Sequence, residues 1–237
     1  MTSAENRTAA AGGGLADLPQ RIAIALPAAA VAISAVVLGG VVFAGFLAVI
    51  GVLAAREAYL LLSAPGVDAP AGEPSAGHRV GAVAAALVWV GVPLVLAVAL
   101  REHEHGIGLV IDVMLAVFVG DTAAHILGST VGRRVLAPRI SPRKTIEGLT
   151  AGIIFGTAAV LIAGSFQPWL GTVEALALGL AVSLAAPAGD LFESAVKRRA
   201  GLKDSGRMLG AHGGFLDRVD AVLFGAVAGY CVSIALV

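Results

Sequence analysis

Charge is scarce in this sequence, and so are aromatic rings and cysteine. Of 237 residues, 14% are charged and 5% aromatic, and there is one cysteine. A chain with so little charge cannot cover a water-soluble domain of this size, and a mean hydropathy of +0.91 excludes that class. The lone Cys231 rules out an internal disulfide and, sitting in the last apolar run, reads as a packed, inert thiol. Sixteen basic side chains balance sixteen acidic ones with no charged tail, so nothing calls for a nucleic-acid partner.

What is abundant is apolar sequence. Seven runs approach the roughly 20 helical residues needed to cross about 30 Å of hydrocarbon. They lie near 22–38, 41–62, 80–100, 107–127, 147–165, 170–192 and 216–236. The fold class expected is therefore all-α, a polytopic transmembrane helical bundle of about seven spans, within a range of six to eight. No charge occurs between Ile22 and Ala55, a stretch of roughly 50 Å as helix and too long for one span, so a break is expected at Gly39-Gly40. Residues 1–20, rich in Ala, Gly and Ser, read as a disordered tail, and a cleaved signal peptide is not expected because a second span follows at once. Residues 21–237 then form a single transmembrane domain, in which 21–100 is featureless and 101–237 carries the polar motifs.

The loops imply an orientation. Placing the N-terminus and the even-numbered loops on one side gathers fifteen of the sixteen lysines and arginines there, and only Arg101 falls opposite. The positive-inside rule makes that side, with its loops 63–79, 128–146 and 193–218, cytoplasmic.

Two of those loops carry acids and glycines beside their cations. Asp190, Glu193 and Lys197 fall at i, i+3 and i+7 on one face of a helix leaving the membrane, and Asp217 and Asp220 share a face where the last span begins. Carboxylates at membrane depth are costly and face a partner, a cavity or a metal. With Lys197, Arg198, Lys203 and Arg218 nearby, they suggest Mg2+ surrounded by phosphate groups; interfacial salt bridging that only fixes topology is the plainer alternative. His212-Gly213-Gly214 would let backbone N–H groups approach a phosphate at the start of a helix.

The run Ser194-x-x-Lys197-Arg198, Lys203-Asp204-x-Gly206 and Leu209-Gly210-x-His212-Gly213-Gly214-Phe215-x-Asp217-Arg218-x-Asp220 resembles the signature of the phosphatidate cytidylyltransferase (CDP-diacylglycerol synthase) family. "GDTAAH" at 120–125, "SPRKTIEG" at 141–148 and Gly189-Asp190 are similar to its upstream motifs. The resemblance covers roughly residues 100–237. Gly210-Ala211, His125, Arg143 and Ile146 depart from the residues common there, but no charged signature residue is missing.

The resemblance implies the reaction CTP + phosphatidate → CDP-diacylglycerol + pyrophosphate, in phospholipid biosynthesis at the plasma membrane. The attacking phosphate monoester, with a second pKa near 6, is largely dianionic at neutral pH, so no strong general base is required. The work is to bring two anions together and stabilise the departing pyrophosphate. The resemblance assigns Asp190, Asp217 and Asp220 to Mg2+, with a second cation left open. Lys197, Arg198, Lys203 and Arg218 would neutralise CTP phosphates, Gly213 and Gly214 would give close backbone approach, and Asp204 would orient Lys203. His212 would either hydrogen-bond a phosphate oxygen or protonate the leaving group. Ser141, Lys144 and Thr145 would receive the lipid headgroup, as a half of the site separate from the metal, and Pro138 and Pro142 would break the helix there. Asp121, His125, Glu147 and Glu193 would support the ligands from behind, with a buried pair as the alternative for Asp121 and His125. His78, His103 and His105 read as solvated loop residues, and Asp112 stands alone in the outer half of a span.

The partners expected are CTP, phosphatidate and membrane lipid, with a homodimer left open. The competing functions are a related lipid nucleotidyltransferase, a CTP-dependent polyprenol kinase and, from a different class, a cation or proton transporter. Transporters hold their sites near the bilayer midplane, whereas these polar residues crowd one interface.

Overall fold

The computed structural model describes residues 18–67, 75–206 and 214–236, the side chains from residue 26 onward. Among them are seven helices: α1 (Leu18–Leu38), α2 (Gly40–Ser63), α3 (Ala76–Glu102), α4 (Gly106–Thr130), α5 (Ile146–Gly164), α6 (Thr172–Arg199) and α7 (Leu216–Leu236). The last six are long and apolar enough to cross a membrane, while the apolar part of α1, Leu26–Leu38, is shorter. This is a multi-pass, all-helical membrane protein, and the six long apolar helices among the described residues fall within the six to eight spans expected. The expected disordered tail falls almost wholly outside the described residues.

The chain divides into two compact units, Met1–Phe46 and Leu47–Val237. In the first, the break between α1 and α2 falls where expected. Gly39 and Gly40 have φ values of 63° and 49°, a left-handed turn that only glycine enters without strain.

In the second unit, small residues set how the helices meet. Gly120, Ala124 and Gly128 on α4 face Gly148, Gly152 and Gly156 on α5, each set spaced one turn apart. A Cβ at Gly152 would stand 2.9 Å from the Gly120 carbonyl oxygen and one at Gly148 2.7 Å from that of Ala124. Backbone contact of this kind suits membrane helices, where lipid is as apolar as leucine and close packing supplies the attraction. Farther along, α6 and α7 close up at Gly189, where a Cβ would lie 2.6 Å from the Asp220 carbonyl oxygen. One turn of α3, Leu87–Gly91, widens to π geometry and carries the buried Trp89, whose ring meets Phe192 edge-on at 4.8 Å.

Between α4 and α5 the chain forms a hairpin of β1 (Val135–Ala137) and β2 (Ser141–Thr145), antiparallel with Val135 opposite Thr145 and a bulge between. Glu147, in the first turn of α5, ties the hairpin down by accepting the backbone N–H groups of Arg133 (3.1 Å) and Arg134 (3.2 Å). Thr145 caps α5 by accepting the Gly148 N–H at 3.1 Å. The prolines thus stand in and beside a strand pair, not at a helix break.

Three sequence expectations away from the polar loops are corrected. Cys231 is exposed on α7. Asp112 is fully buried and accepts a hydrogen bond from Gln167 at 3.0 Å. His105 stacks on Trp169 at 4.4 Å, and Nδ1 of His103 is buried.

Candidate active site

The polar residues singled out by sequence gather at one end of the second unit, where α4 and α6 finish and α5 and α7 begin. Two links across that end hold the hairpin to the end of α6. Lys144 forms an ion pair with Asp190, and Arg198 donates from Nε to the Ile140 carbonyl oxygen at 3.3 Å and from a terminal nitrogen to that of Leu202 at 3.2 Å.

Asp217, in the first turn of α7, is the most heavily bonded carboxylate. Its oxygens accept the Lys197 ammonium at 2.7 Å, the Gly214 N–H at 2.9 Å and the Ser205 N–H at 3.2 Å. The amides at a helix start lack intrahelical partners and favour negative charge, which is why an aspartate suits this position. Lys197 reaches from α6 to bridge Asp217 and Glu193, the latter at 3.1 Å, and keeps only 13% of its side chain exposed.

Glu193 is 1% exposed and Asp220 7%. The Glu193 carboxyl lies against those of Asp217 and Asp220, Asp190 is near enough to Asp220 for their charges to interact, and Glu193 Oε1 is buried with no donor. Ser194 donates to Asp190 at 3.4 Å, and Asp220 accepts the Ala221 N–H at 2.8 Å. Four carboxylates thus share two ammonium groups in a half-buried pocket. Such crowding is costly without a further proton or cation. Among the described residues, no group of three or more His, Cys, Asp and Glu side chains is arranged as a metal site.

Asp190, Glu193, Lys197, Asp217 and Asp220 are thus brought together, and Lys144 joins them. Lys144, expected to serve the half of the site away from the metal, is paired with Asp190, one of the carboxylates that the resemblance assigns to the metal. Thr145 uses its hydroxyl oxygen to cap α5, and Glu147 braces the hairpin. Arg198, Lys203, Asp204 and Arg218 are exposed, Ser141 is half-buried and Gly214 is buried. Asp121 and His125 are exposed on α4, outside the hydrogen-bonded group. His212 and Gly213 lie outside the described residues.

Sequence reasoning missed Glu57. It is 1% exposed on α2 and accepts the Leu216 N–H at 2.9 Å and the Ser205 hydroxyl at 3.0 Å. The available signal was its position as the one acid within an apolar run, a place where a carboxylate needs a reason.

The sequence model of the cytidylyltransferase family matches residues 71–235, most of the chain and every one of these groups except Glu57. The chain belongs to that family. A phosphatidate cytidylyltransferase of Mycobacterium bovis is 37% identical over 168 residues, 68% of this chain and 54% of the relative. One of Bacillus subtilis is 34% identical over 154 residues, 62% of this chain and 55% of the relative. An uncharacterized Escherichia coli protein is 41% identical over 123 residues, 52% of this chain and 41% of that protein. The chain spans about half the length of the curated relatives it matches.

Proposed function

We propose that this family member transfers CMP from CTP to phosphatidate, giving CDP-diacylglycerol and pyrophosphate. The observation that carries the reading is the clustering of Asp190, Glu193, Asp217 and Asp220 at the end of the bundle, beside Lys144 and Lys197. A phosphatidate oxygen would attack the α-phosphorus of CTP, forming one P–O bond as the bond to pyrophosphate breaks. The nucleophile needs no base, so the side chains act by position and charge.

Asp190, Asp217 and Asp220 would hold Mg2+. Acidic oxygens crowd together here as a hard cation needs, and the ion would have to displace Lys144 from Asp190 and Lys197 from Asp217 to reach them. When bound, the ion would screen the CTP phosphates and stabilise charge on pyrophosphate. Lys203 and Arg218, both exposed, would neutralise outer phosphate oxygens. Lys144, exchanging Asp190 for a phosphate, would receive the lipid headgroup. Lys197, enclosed by Glu193 and Asp217, is better suited to holding those carboxylates in place than to meeting substrate.

An apolar groove supports the same reading for the lipid's tail. Val88, Trp89, Val92, Phe192, Phe224 and neighbouring small residues line an open, almost wholly apolar groove of about 520 Å3. Phe192 adjoins Glu193 in sequence, and Phe224 is one turn beyond Asp220, so an acyl chain in this groove would lie near the helix segments that carry the carboxylates. The reading further places the protein in the plasma membrane with this end toward the cytoplasm, in line with the concentration of basic residues there.

The test is to incubate purified protein in detergent with labelled CTP, phosphatidate and Mg2+. Lipid-linked CMP and free pyrophosphate are expected, and both should disappear on chelation. A phosphorylated lipid with CDP as co-product would instead establish a kinase.

A further inference from the structure

Glu57 lies outside the family match and has no counterpart among the residues that the signature implies, yet it is among the most constrained side chains in the protein. It projects from α2 between Ala54, Ala58 and Leu61, which with Trp89, Leu216 and Leu223 form a buried apolar cluster. A helix that served only to fill this cluster would carry leucine at position 57, since an acid here must be desolvated.

The carboxylate's bonds explain its presence. Oε2 takes the Leu216 N–H, at the opening of α7, and the Ser205 hydroxyl. Gly206 and Gly214 are pressed against it: a Cβ on Gly206 would stand 2.5 Å from Oε1, and one on Gly214 2.5 Å from Oε2. Asp217 binds the same two pieces of chain through the N–H groups of Ser205 and Gly214. Two carboxylates therefore grip segments Ser205–Gly206 and Gly214–Leu216 together, Glu57 from α2 and Asp217 from α7 itself. Whatever fixes Leu216 and Ser205 also fixes the aspartate one residue after Leu216, and with it Lys197.

We propose that Glu57 is a positioning residue of the transferase, which caps α7 from another helix and so holds Asp217 in register with Lys197 and the neighbouring carboxylates. The proposal rests on the transferase reading above. It gives the featureless N-terminal half of the chain a part in catalysis, acting through Asp217 and not on the substrate.

Glu57→Gln tests it, because glutamine keeps the volume and one acceptor oxygen while losing the charge. Two measurements are made on detergent-purified protein: steady-state formation of CDP-diacylglycerol, and hydrogen exchange of the amides from Leu216 to Val219. The variant is expected to lose at least tenfold in kcat, with the KM for phosphatidate within twofold of wild type, and to exchange those amides at least tenfold faster. Ser205→Ala, which removes one of the two bonds without touching α2, is expected to show the same pattern to a smaller degree. Normal kcat in Glu57→Gln overturns the proposal, as does unchanged exchange in the first turn of α7. A fall in activity matched by loss of folded protein, the folded fraction turning over normally, also overturns it. A wild type that makes no CDP-diacylglycerol sinks the transferase reading instead, and the exchange measurement then still decides whether Glu57 holds α7.

Discussion

Lys197 shows how far a single side chain's role depends on what surrounds it. Its ammonium is enclosed by Glu193 and Asp217, so its removal leaves buried negative charge uncompensated and does not merely weaken a contact to CTP. Lys197→Met should therefore cost about 1.5–3 kcal/mol, or roughly ten- to a hundredfold in kcat, and lower the melting temperature as well; thermal melting beside the assay checks both. An activity loss confined to the CTP concentration dependence would mean that Lys197 meets the nucleotide after all. Asp190→Asn, Asp217→Asn and Asp220→Asn should each abolish turnover at limiting Mg2+, because asparagine keeps the shape and loses the charge that a hard cation needs. Near-normal rates in all three would remove the carboxylates from the metal site. Lys144 is the residue whose expected behaviour changes most between sequence and structure. Its pairing with Asp190 means that Lys144→Ala should raise the half-saturating phosphatidate concentration and also shift the Mg2+ dependence. Measuring both in the same variant distinguishes this from a lysine that touches lipid alone, for which the Mg2+ requirement would not move.

At the scale of elements, the contact of α4 with α5 decides whether the hairpin sits over the end of α6. Gly152→Val places methyl groups where the Gly120 carbonyl already stands, 2.9 Å from where the first carbon would go. Overpacking of this kind typically costs 1–3 kcal/mol. The two helices should part, carrying Lys144 and the hairpin away from Asp190, so activity and melting temperature should fall together. Gly81→Ala on α3 is the control. Nothing lies within 4 Å of its new carbon, and alanine in a helix interior is favoured over glycine by about 1 kcal/mol. That variant should melt no lower than wild type and keep its activity.

The whole molecule places its polar ends by topology. The hairpin, the end of α6 and the start of α7 share one end of the second unit, where Arg198 joins the hairpin to the 200s segment. The proposed reading, from the bias of basic residues, is that this end faces the cytoplasm. In a Cys231→Ala background, cysteines introduced at Arg139 and Lys203 should react with a membrane-impermeant maleimide only from the cytoplasmic face, and one at Glu104 only from the opposite face. Labelling of all three from one side would refute the odd number of crossings that separates Glu104 from the other two.

Much of this was legible in sequence, for physical reasons. Helices in hydrocarbon must satisfy their backbone internally and be about 20 residues long, so composition alone marked the spans, the break at Gly39-Gly40 and the crowding of polar groups at one interface. The residues from Asp190 to Asp220 were legible as a set because they are close along the chain and carry charge where charge is expensive. What only the tertiary structure decided is how the distant segments pair. Glu57 meets Ser205 and Leu216 across 148 and 159 residues, and Lys144 meets Asp190 because Gly156 and Gly179 let α5 close on α6. Local periodicity says which face of a helix is apolar, but not which neighbour that face will find. Electrostatic partners are set by that choice of neighbour, and so a lysine first assigned to lipid and an acid first passed over both take their roles from the packing of the bundle.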